Sequence, residues 1–182
     1  CATCDAAFFR DKAVAVVGGG DSAVGEALVL ARGCSKVFVA HPLESLQAAP
    51  VLVEQLRALP NVAFVPNASP AGVEGEGKVE RLRLRLSSGG EEVLPVAGVF
   101  VAMDFVPTGE LLNGLGEADA QGYIVAPETT ESGIPGLFIA GDVRRKPLKQ
   151  IVTAAADGAV AALRAGVYVH GMKGKSSGTP SA

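Results

Sequence analysis

The sequence contains few of the residues that several protein classes need. It has no Trp, two His and three Cys in 182 residues. Three cysteines are too few for a secreted disulfide scaffold, and we expect no signal peptide before Cys1. A chain that opens on cysteine rather than methionine is expected to be processed or to be a fragment. We expect a cytoplasmic setting.

Long apolar runs and a strong charge of one sign are also missing. No uncharged apolar run approaches the roughly 18 residues of a membrane span, so we expect no membrane-spanning helix and no membrane partner. A net charge of -3 and a pI near 5.4 argue against a nucleic-acid partner bound through bulk electrostatics. The 23 Gly show no G-X-Y period, which excludes a collagen-like rod.

Hydrophobic residues, by contrast, are plentiful. They make up 48% of the chain against 19% charged residues, a composition that excludes an intrinsically disordered chain and supplies a buried core. At 182 residues the chain has the size of one domain, or of one domain with part of another.

The first forty residues have the pattern of a strand, a glycine turn, a helix and a second strand. The apolar, β-branched run Ala13–Val17 predicts a buried parallel strand. A glycine turn over residues 18–20 follows, and apolar residues at helical spacing predict a helix over residues 21–33. Lys36–Ala40 predicts the next strand, which completes a right-handed crossover.

The rest of the chain alternates predicted strands and helices. The patterns predict a helix over residues 43–59, a strand at Val62–Val65, a turn over 72–77, a β-hairpin or meander over 79–95 and a buried strand over 96–102. They then predict short strands over 123–126 and 137–140, an Ala-rich helix over 149–164 and a disordered tail over 171–182. The fold class is therefore α/β, with a Rossmann-like doubly wound parallel sheet and an antiparallel β-meander.

The glycine turn carries the dinucleotide-binding pattern G-x-G-x-x-G/A between a strand and a helix. We expect Gly18 to permit the tight turn, Gly20 to let a pyrophosphate approach the backbone, and Ala23 to keep helix and strand close. Asp21 and Ser22 open the helix, whose first N–H groups favour phosphate. The alternative is a tight turn that binds nothing.

The residues after the second strand decide which nucleotide binds. An acidic residue there accepts the ribose hydroxyl of NAD, whereas arginine takes the 2′-phosphate of NADP. This sequence has His41, Pro42 and Leu43, with Glu44 as the nearest carboxylate. It therefore favours NADH over NADPH, and Glu44 is either the ribose acceptor or a solvated surface acid.

Cys1 and Cys4 form a C-x-x-C that is followed by Asp5. Two thiols this close can form and break a disulfide, and the carboxyl group can transfer the proton that each half-reaction needs. Half of a zinc site is one alternative, but the remaining Cys and His residues lack ligand spacing, so we predict no metal. A pair of buried, inert cysteines is the other alternative. Cys34 is expected to be a small apolar filler.

Three motifs stand in a fixed order: CATCD at 1–5, GGGDSA at 18–23, and GLFIAGDV at 136–143 with KQI at 149–151. In this combination the chain resembles the low-molecular-weight thioredoxin reductases, and it is similar to the flavoprotein subunit of alkyl hydroperoxide reductase. The resemblance implies a flavin-dependent disulfide reductase that passes electrons from NAD(P)H via FAD to the C-x-x-C disulfide. It further implies a thioredoxin-like or peroxiredoxin-type partner and a homodimer.

The resemblance also assigns residues to sites. It implies that the C-x-x-C is the redox pair and that the glycine motif and His41 belong to the nucleotide site. Asp142, next to Gly141, would bind the ribityl or phosphate region of FAD, and Gln150 and Ile151 would present backbone groups to the flavin ring. The alternatives are a plain turn at the end of a strand and an exposed start of a helix.

The resemblance divides the chain into three parts. Residues 1–110 would form an NAD(P)-binding domain that carries the C-x-x-C, residues 111–170 the C-terminal segment of a second, FAD-binding domain, and residues 171–182 the disordered tail. The family's N-terminal FAD-binding half, with a second G-x-G-x-x-G, has no counterpart in this sequence. We therefore expect FAD binding by this chain alone to be weak or absent.

Three positions depart from the family pattern. Pro42 and Leu43 stand where thioredoxin reductases carry arginines, and Ala6 stands where they carry glycine. The missing arginines favour an alternative, an NADH-linked peroxiredoxin or hydroperoxide reductase flavoprotein. Two further alternatives are a nucleotide-binding remnant without turnover and a thioredoxin reductase-like dithiol oxidase.

Overall fold

The computed structural model describes residues 1–103, 106–108 and 116–176. The chain divides into two compact units, Cys1–Asp104 and Phe105–Ala182. The predicted boundary after residue 110 stays a prediction, because residues 109–115 lie outside the described residues.

A parallel sheet forms the centre of the first unit. Its strands are β1 (Ala13–Val17), β2 (Lys36–Ala40), β3 (Val62–Val65) and β7 (Gly98–Val101), in the order β3-β2-β1-β7. All three pairings are parallel, with β1 between β2 and β7. The apolar run of β1 is buried on both faces, which is why it is continuous rather than alternating. The predicted parallel sheet is confirmed.

Three helices belong to this unit: α1 (Ala2–Asp5), which a 3-10 turn at Ala6–Phe9 follows, α2 (Asp21–Leu30) and α3 (Pro50–Arg57). The face of α2 that carries Ala23, Ala27 and Leu30 is fully buried against the sheet. The predicted helix over 43–59 begins only at Pro50, a residue that favours the first helical turn. The preceding segment is not helical, because its backbone pairs with the glycine turn instead.

An antiparallel meander covers the other face of the sheet. Its strands are β4 (Ala68–Glu74), β5 (Arg81–Leu86) and β6 (Glu91–Pro95). Leucines of β5 and β6 pack with β1 residues in one buried cluster. The predicted meander is confirmed. The sequence predicts a turn over residues 72–77, but residues 72–74 belong to β4. The sequence pattern does not predict this strand because it contains Pro70 and Gly72, which are rare inside strands. The register of its pairing shifts between these two residues.

The second unit consists of turns, isolated bridges and one long helix. The strands predicted over 123–126 and 137–140 are absent as strands among the described residues, which show only single bridges such as Ile124 with Arg144 and Glu131 with Phe138. Short apolar runs predicted these segments, but a strand forms only where a second strand pairs with its backbone.

The long helix, α4, spans Ile151–Ser176. The sequence predicted its end at residue 164 and a disordered tail from residue 171, and both boundaries are wrong. Apolar residues continue at Val167 and Met172, and the ring of Tyr168 packs edge-on against Phe138, with 6.3 Å between centroids. Residues 177–182 of the predicted tail lie outside the described residues.

By length and composition, α4 also meets the criterion for a membrane span. The segment Ile151–Met172 has 22 residues, a mean hydropathy of 1.3 and 6% of its window buried. The sequence expectation considered only uncharged runs, whereas this segment contains Asp157 and Arg164. Both of these charged side chains form ion pairs within the same unit, with Arg144 and Glu131. One helix of this kind is weak support for a membrane span.

Candidate functional site

The turn between β1 and α2 requires glycine at its first position. Gly18 has a φ of +143°, and a Cβ there would collide with the backbone carbonyl of Ala102 on β7's continuation. Its N–H donates to the carbonyl of Ala40 at 2.9 Å, which fixes the turn at the end of β2. The methyl of Ala23 lies 3.1 Å from where that Cβ would stand, so a small residue is needed there too. Gly18 and Ala23 therefore bring the start of α2 close to the sheet.

Gly20 has a different environment. It is the residue before α2, and a Cβ placed on it would meet nothing within 4 Å. No side chain caps the helix, so the first N–H groups of α2 remain available to a ligand. The side chain of Asp21 is engaged elsewhere, because its Oδ1 accepts from the backbone N–H of Ala49 at 2.7 Å. The predicted roles of Asp21 and Ser22 toward a nucleotide stay predictions.

A cavity of about 430 Å³ lies over this turn, at the carboxyl ends of β1 and β2. Open α/β sheets bind ligands at this edge. Residues that line the cavity include Gly18, Gly20, His41, Pro42 and Gln47. Among the described residues that line it, none is Asp, Glu, Lys or Arg.

His41 is the first residue after β2 and is 3% exposed. Its backbone continues the sheet, since its N–H donates to Val65 at 3.1 Å and its carbonyl accepts from Ala68 at 2.9 Å. Burial lowers the pKa of His41, with a smaller opposing effect from the backbone of Leu43. The imidazole is therefore neutral at neutral pH, and its Nδ1 is buried with no hydrogen-bond partner.

Sequence reasoning missed the segment that fixes the other wall of this cavity. The backbone N–H of Gln47 donates to the carbonyl of Gly19 at 2.7 Å, and Gln47 bridges Gly20 in parallel. With the bond from Ala49 to Asp21, residues 47–49 are fastened to the glycine turn. No local pattern signals these contacts, because they join residues about 28 positions apart.

The cysteine pair lies on the first turn of the same unit. Cys1 and Cys4 are both exposed free thiols, and their Sγ atoms are 3.3 Å apart. An i, i+3 spacing on a helical turn places both on one face. Because a disulfide needs about 2.05 Å between sulfurs, a shift of roughly 1 Å closes it. Buried Ala2 anchors the turn to the core. Because Cys1 and Cys4 are exposed, the expectation of a buried pair is wrong, and the redox role of the pair stays a prediction.

Two further sequence expectations concern the neighbours of this pair. The side chain of Asp5 is 51% exposed, and its role as acid or base stays a prediction. Cys34 lies in the hydrophobic core, as expected of a filler, and burial raises the pKa of its thiol. Among the described residues, no group of three or more His, Cys, Asp or Glu side chains is placed to hold a metal ion.

The flavin candidates lie in the second unit. Gly141 has a φ of +83°, and its N–H donates to Oδ2 of Asp157 at 3.0 Å. Asp142 is exposed and lines a cavity of about 230 Å³ together with Tyr123 and Lys149. These positions make a turn that leaves the carboxylate of Asp142 open to a ligand.

The start of α4 differs from the sequence expectation in one respect. The backbone N–H of Gln150 donates to Oγ1 of Thr153 at 3.0 Å, so it is already engaged within the chain. Ile151, the first residue of α4, is 91% exposed and leaves the start of the helix accessible. The predicted pair therefore splits into one occupied and one accessible position.

A buried ionic cluster behind Gly141 was not predicted. Arg144, 2% exposed, donates to both carboxylate oxygens of Asp157 at 3.0 Å, and Lys146 Nζ lies 2.8 Å from Asp157 Oδ2. The Arg144 guanidinium holds the pKa of Asp157 well below its usual range, and Asp157 raises the pKa of Arg144. A lone acid within the apolar stretch of α4 was the available signal. This cluster joins α4 to the Gly141 turn.

Comparisons with known proteins agree with this geometry. A family model described as pyridine nucleotide-disulphide oxidoreductase matches residues 1–158. The thioredoxin reductase of Listeria monocytogenes serovar 1/2a is 41% identical over 175 residues, which cover 95% of this chain and 55% of that protein. The thioredoxin reductase of Mycolicibacterium smegmatis is 41% identical over 167 residues, with 91% and 54% covered.

Solved structures give the same result. The crystal structure of thioredoxin reductase from Streptococcus pyogenes MGAS5005 has a TM-score of 0.83 and 36% identity, over 94% of this chain and 56% of that chain. The thioredoxin reductase from Giardia duodenalis has a TM-score of 0.76 and 28% identity, over 93% and 57%. The chain spans about half the length of the curated relatives it matches.

Proposed function

Because the chain belongs to the pyridine nucleotide-disulphide oxidoreductase family, we propose that it is the nucleotide-binding and dithiol-bearing part of a thioredoxin reductase-like enzyme. It would take electrons that originate from NAD(P)H and deliver them to a disulfide of a thioredoxin-like partner. The relatives named above carry the name thioredoxin reductase, which supports this partner class.

The observation that carries the proposal is the exposed pair of thiols 3.3 Å apart. One of the two thiolates attacks a sulfur of the partner's disulfide, which forms a mixed disulfide and releases one partner thiolate. The second cysteine of the pair then attacks the first. This step closes the bond between Cys1 and Cys4, breaks the mixed disulfide and leaves the partner as a dithiol, so two electrons have moved to the partner.

Groups around the pair suit this exchange. Asp5 would receive a proton from the attacking thiol and return one to a leaving thiolate. Phe8, four residues after Cys4, is 72% exposed and offers a partner protein an apolar contact. A cytoplasmic setting would keep the resting thiols reduced. We extend the proposal to a homodimer, as the family resemblance implies.

The residues of the second unit fit part of a flavin nucleotide. Asp142 offers an exposed carboxylate beside the Gly141 turn, and Ile151 leaves the start of α4 accessible. We propose that Asp142 accepts a hydrogen bond from the ribityl chain and that the start of α4 faces the ring. When bound, FAD would supply hydride acceptance from a reduced nicotinamide and transfer of the electron pair to a disulfide.

The test follows the disulfide directly. Reduced chain is mixed with an oxidised thioredoxin-like protein, the reaction is quenched by alkylation, and free thiols are located by mass spectrometry. We expect Cys1 and Cys4 to become a disulfide as the partner gains two thiols. Serine at Cys1 or at Cys4 should abolish this transfer, and one of these variants should trap the mixed disulfide.

The matched control is Cys34→Ser, which should exchange as the parent chain does, because Cys34 is buried in the core. The proposal fails if Cys1 and Cys4 stay reduced, or if exchange depends on Cys34. The second candidate function is an NADH-linked peroxiredoxin reductase, and an oxidised peroxiredoxin-type protein in the same assay tests it. The uncharged Pro42 and Leu43, which line the cavity, favour this candidate because they offer no cation to a 2′-phosphate. Faster exchange with that protein would select it.

A further inference from the structure

We infer that the cavity over the glycine turn takes a dinucleotide whose adenosine ribose has free hydroxyls, NADH rather than NADPH. The inference rests on the proposed function only in requiring that a dinucleotide binds there. It concerns the wall of the cavity that β2 and the residues after it supply.

This wall offers no cation. A 2′-phosphate adds about two negative charges and is bound by Arg or Lys side chains in sites that prefer it. The residues that follow β2 and line the cavity are His41, Pro42, Leu43 and Ser45. None of them is charged in the environment described above, and neither is any other described residue of the lining.

His41 suits a hydroxyl better than a phosphate. It is 3% exposed, and its burial keeps the imidazole neutral, so it supplies no positive charge. Its Nδ1 is buried without a partner, which costs free energy unless a ligand or water pairs with it. A ribose hydroxyl can both donate and accept, so it suits a neutral imidazole in either tautomer.

The backbone of this wall is equally unsuited to phosphate. Pro42 has no N–H to donate to an anion. The carbonyl of Leu43 accepts from the backbone N–H of Asn67 at 3.0 Å, which fastens the wall to the residue before β4. Gln47 fastens its other end to the glycine turn. The wall is thus held at both ends by backbone hydrogen bonds.

The nearest charge on this loop has the wrong sign for a phosphate. Glu44 is exposed and adjoins Leu43 in the chain. A carboxylate repels a 2′-phosphate but can accept a hydrogen bond from a 2′-hydroxyl. Charge, hydrogen-bond capacity and backbone therefore all favour the unphosphorylated ribose.

Equilibrium titration of the full chain with NADH and with NADPH tests the inference. Nicotinamide fluorescence reports binding, and the chain has no Trp to interfere. We expect NADH to bind at least about 10-fold more tightly, which corresponds to roughly 1.4 kcal/mol. Equal or tighter binding of NADPH overturns the inference and leaves the proposed nucleotide site intact. Binding of neither nucleotide contradicts the proposed function itself.

A charge-gain variant sharpens the test. Pro42→Arg with Leu43→Arg should tighten NADPH binding at least about 10-fold, since it supplies the missing cations. The control is Val73→Arg with Val93→Arg, two exposed valines of the meander that do not line the cavity. If the first variant does not fold, Ser45→Arg places one cation on the same wall. The inference is overturned if the arginine variant of this wall, with its fold verified by circular dichroism, binds NADPH no more tightly than the parent chain.

Discussion

Gly18 and Gly20 lie in one turn but have different roles. Substituting each of them separates an effect on stability from an effect on nucleotide binding. At Gly18 the φ of +143° and the carbonyl of Ala102 leave no place for a Cβ, so Gly18→Ala should destabilise the chain by about 1–3 kcal/mol. At Gly20 a methyl meets only open space, so Gly20→Ala should change stability by no more than about 0.5 kcal/mol. The methyl would, however, stand where a pyrophosphate approaches, and nucleotide affinity should fall at least 10-fold or about 1.4 kcal/mol.

Urea unfolding followed by circular dichroism and nucleotide titration check the two expectations separately. Gly25→Ala is the matched control, because a Cβ there also meets nothing within 4 Å and Gly25 does not line the cavity. It should keep the parent affinity. Undiminished affinity of the Gly20→Ala variant would show that the pyrophosphate does not approach this residue.

At the scale of elements, the sequence predicted what depends on local pattern. The buried run of β1 and the glycine turn after it are visible in the sequence, because their burial and backbone needs restrict residue type. Contacts between residues far apart in the sequence were not predicted. The start of α3 at Pro50 depends on the pairing of Gln47 with the glycine turn. The predicted strand over residues 137–140 did not form because it needs a partner strand, which a local apolar run cannot reveal.

The junction of α4 with the Gly141 turn depends on one buried acid. Replacing Asp157 by Asn leaves Lys146 buried without a carboxylate and Arg144 paired only with the exposed Glu128, which should cost about 3 kcal/mol of unfolding free energy. Because hydrogen bonds from Arg144 hold the pKa of Asp157 below its usual value of about 3.9, the parent's extra stability is present above that pH. It is lost as pH falls below about 4, and the variant should lack this part of the acid dependence.

Hydrogen exchange over residues 124–157 measures the effect at pH 7 and at acid pH. Glu117→Gln removes an exposed carboxylate in the same unit and should leave protection unchanged. Equal protection in the parent and the Asp157→Asn variant at pH 7 would mean that the ionic cluster does not hold the turn to α4. A variant that keeps the full acid dependence would assign that dependence to other carboxylates.

For the whole molecule, the sequence predicted the candidate site better in the first unit than in the second. The first unit carries its own core, with the sheet covered by helices on one face and the meander on the other. The glycine turn over residues 18–20 and His41 line one cavity. In the second unit, Asp142 and Ile151 are exposed, and their roles toward a flavin stay predictions. Motif recognition could not foresee the bond from Gln150 to Thr153, which depends on how α4 begins.

The whole chain should bind FAD weakly. Of its flavin candidates, Asp142 lines a cavity of about 230 Å³, below the roughly 300–1,000 Å³ of pockets that enclose small ligands. Ile151, Val152 and Leu163 of α4 are 91%, 68% and 69% exposed, so this unit leaves apolar surface open rather than enclosing a ring. We expect the purified chain to show little flavin absorbance and to bind added FAD with a Kd weaker than about 10 μM.

Fluorescence titration with FAD measures this affinity, and Asp142→Ala should weaken it further if the carboxylate contacts the ribityl chain. Glu117→Gln again serves as the control and should bind as the parent does, since Glu117 does not line the cavity. Flavin retained near stoichiometry through purification would contradict the expectation, because a cavity of this size would then hold the cofactor without further surface. In that case the exposed face of α4 would have to close over the flavin, and hydrogen exchange along α4 would fall on FAD addition.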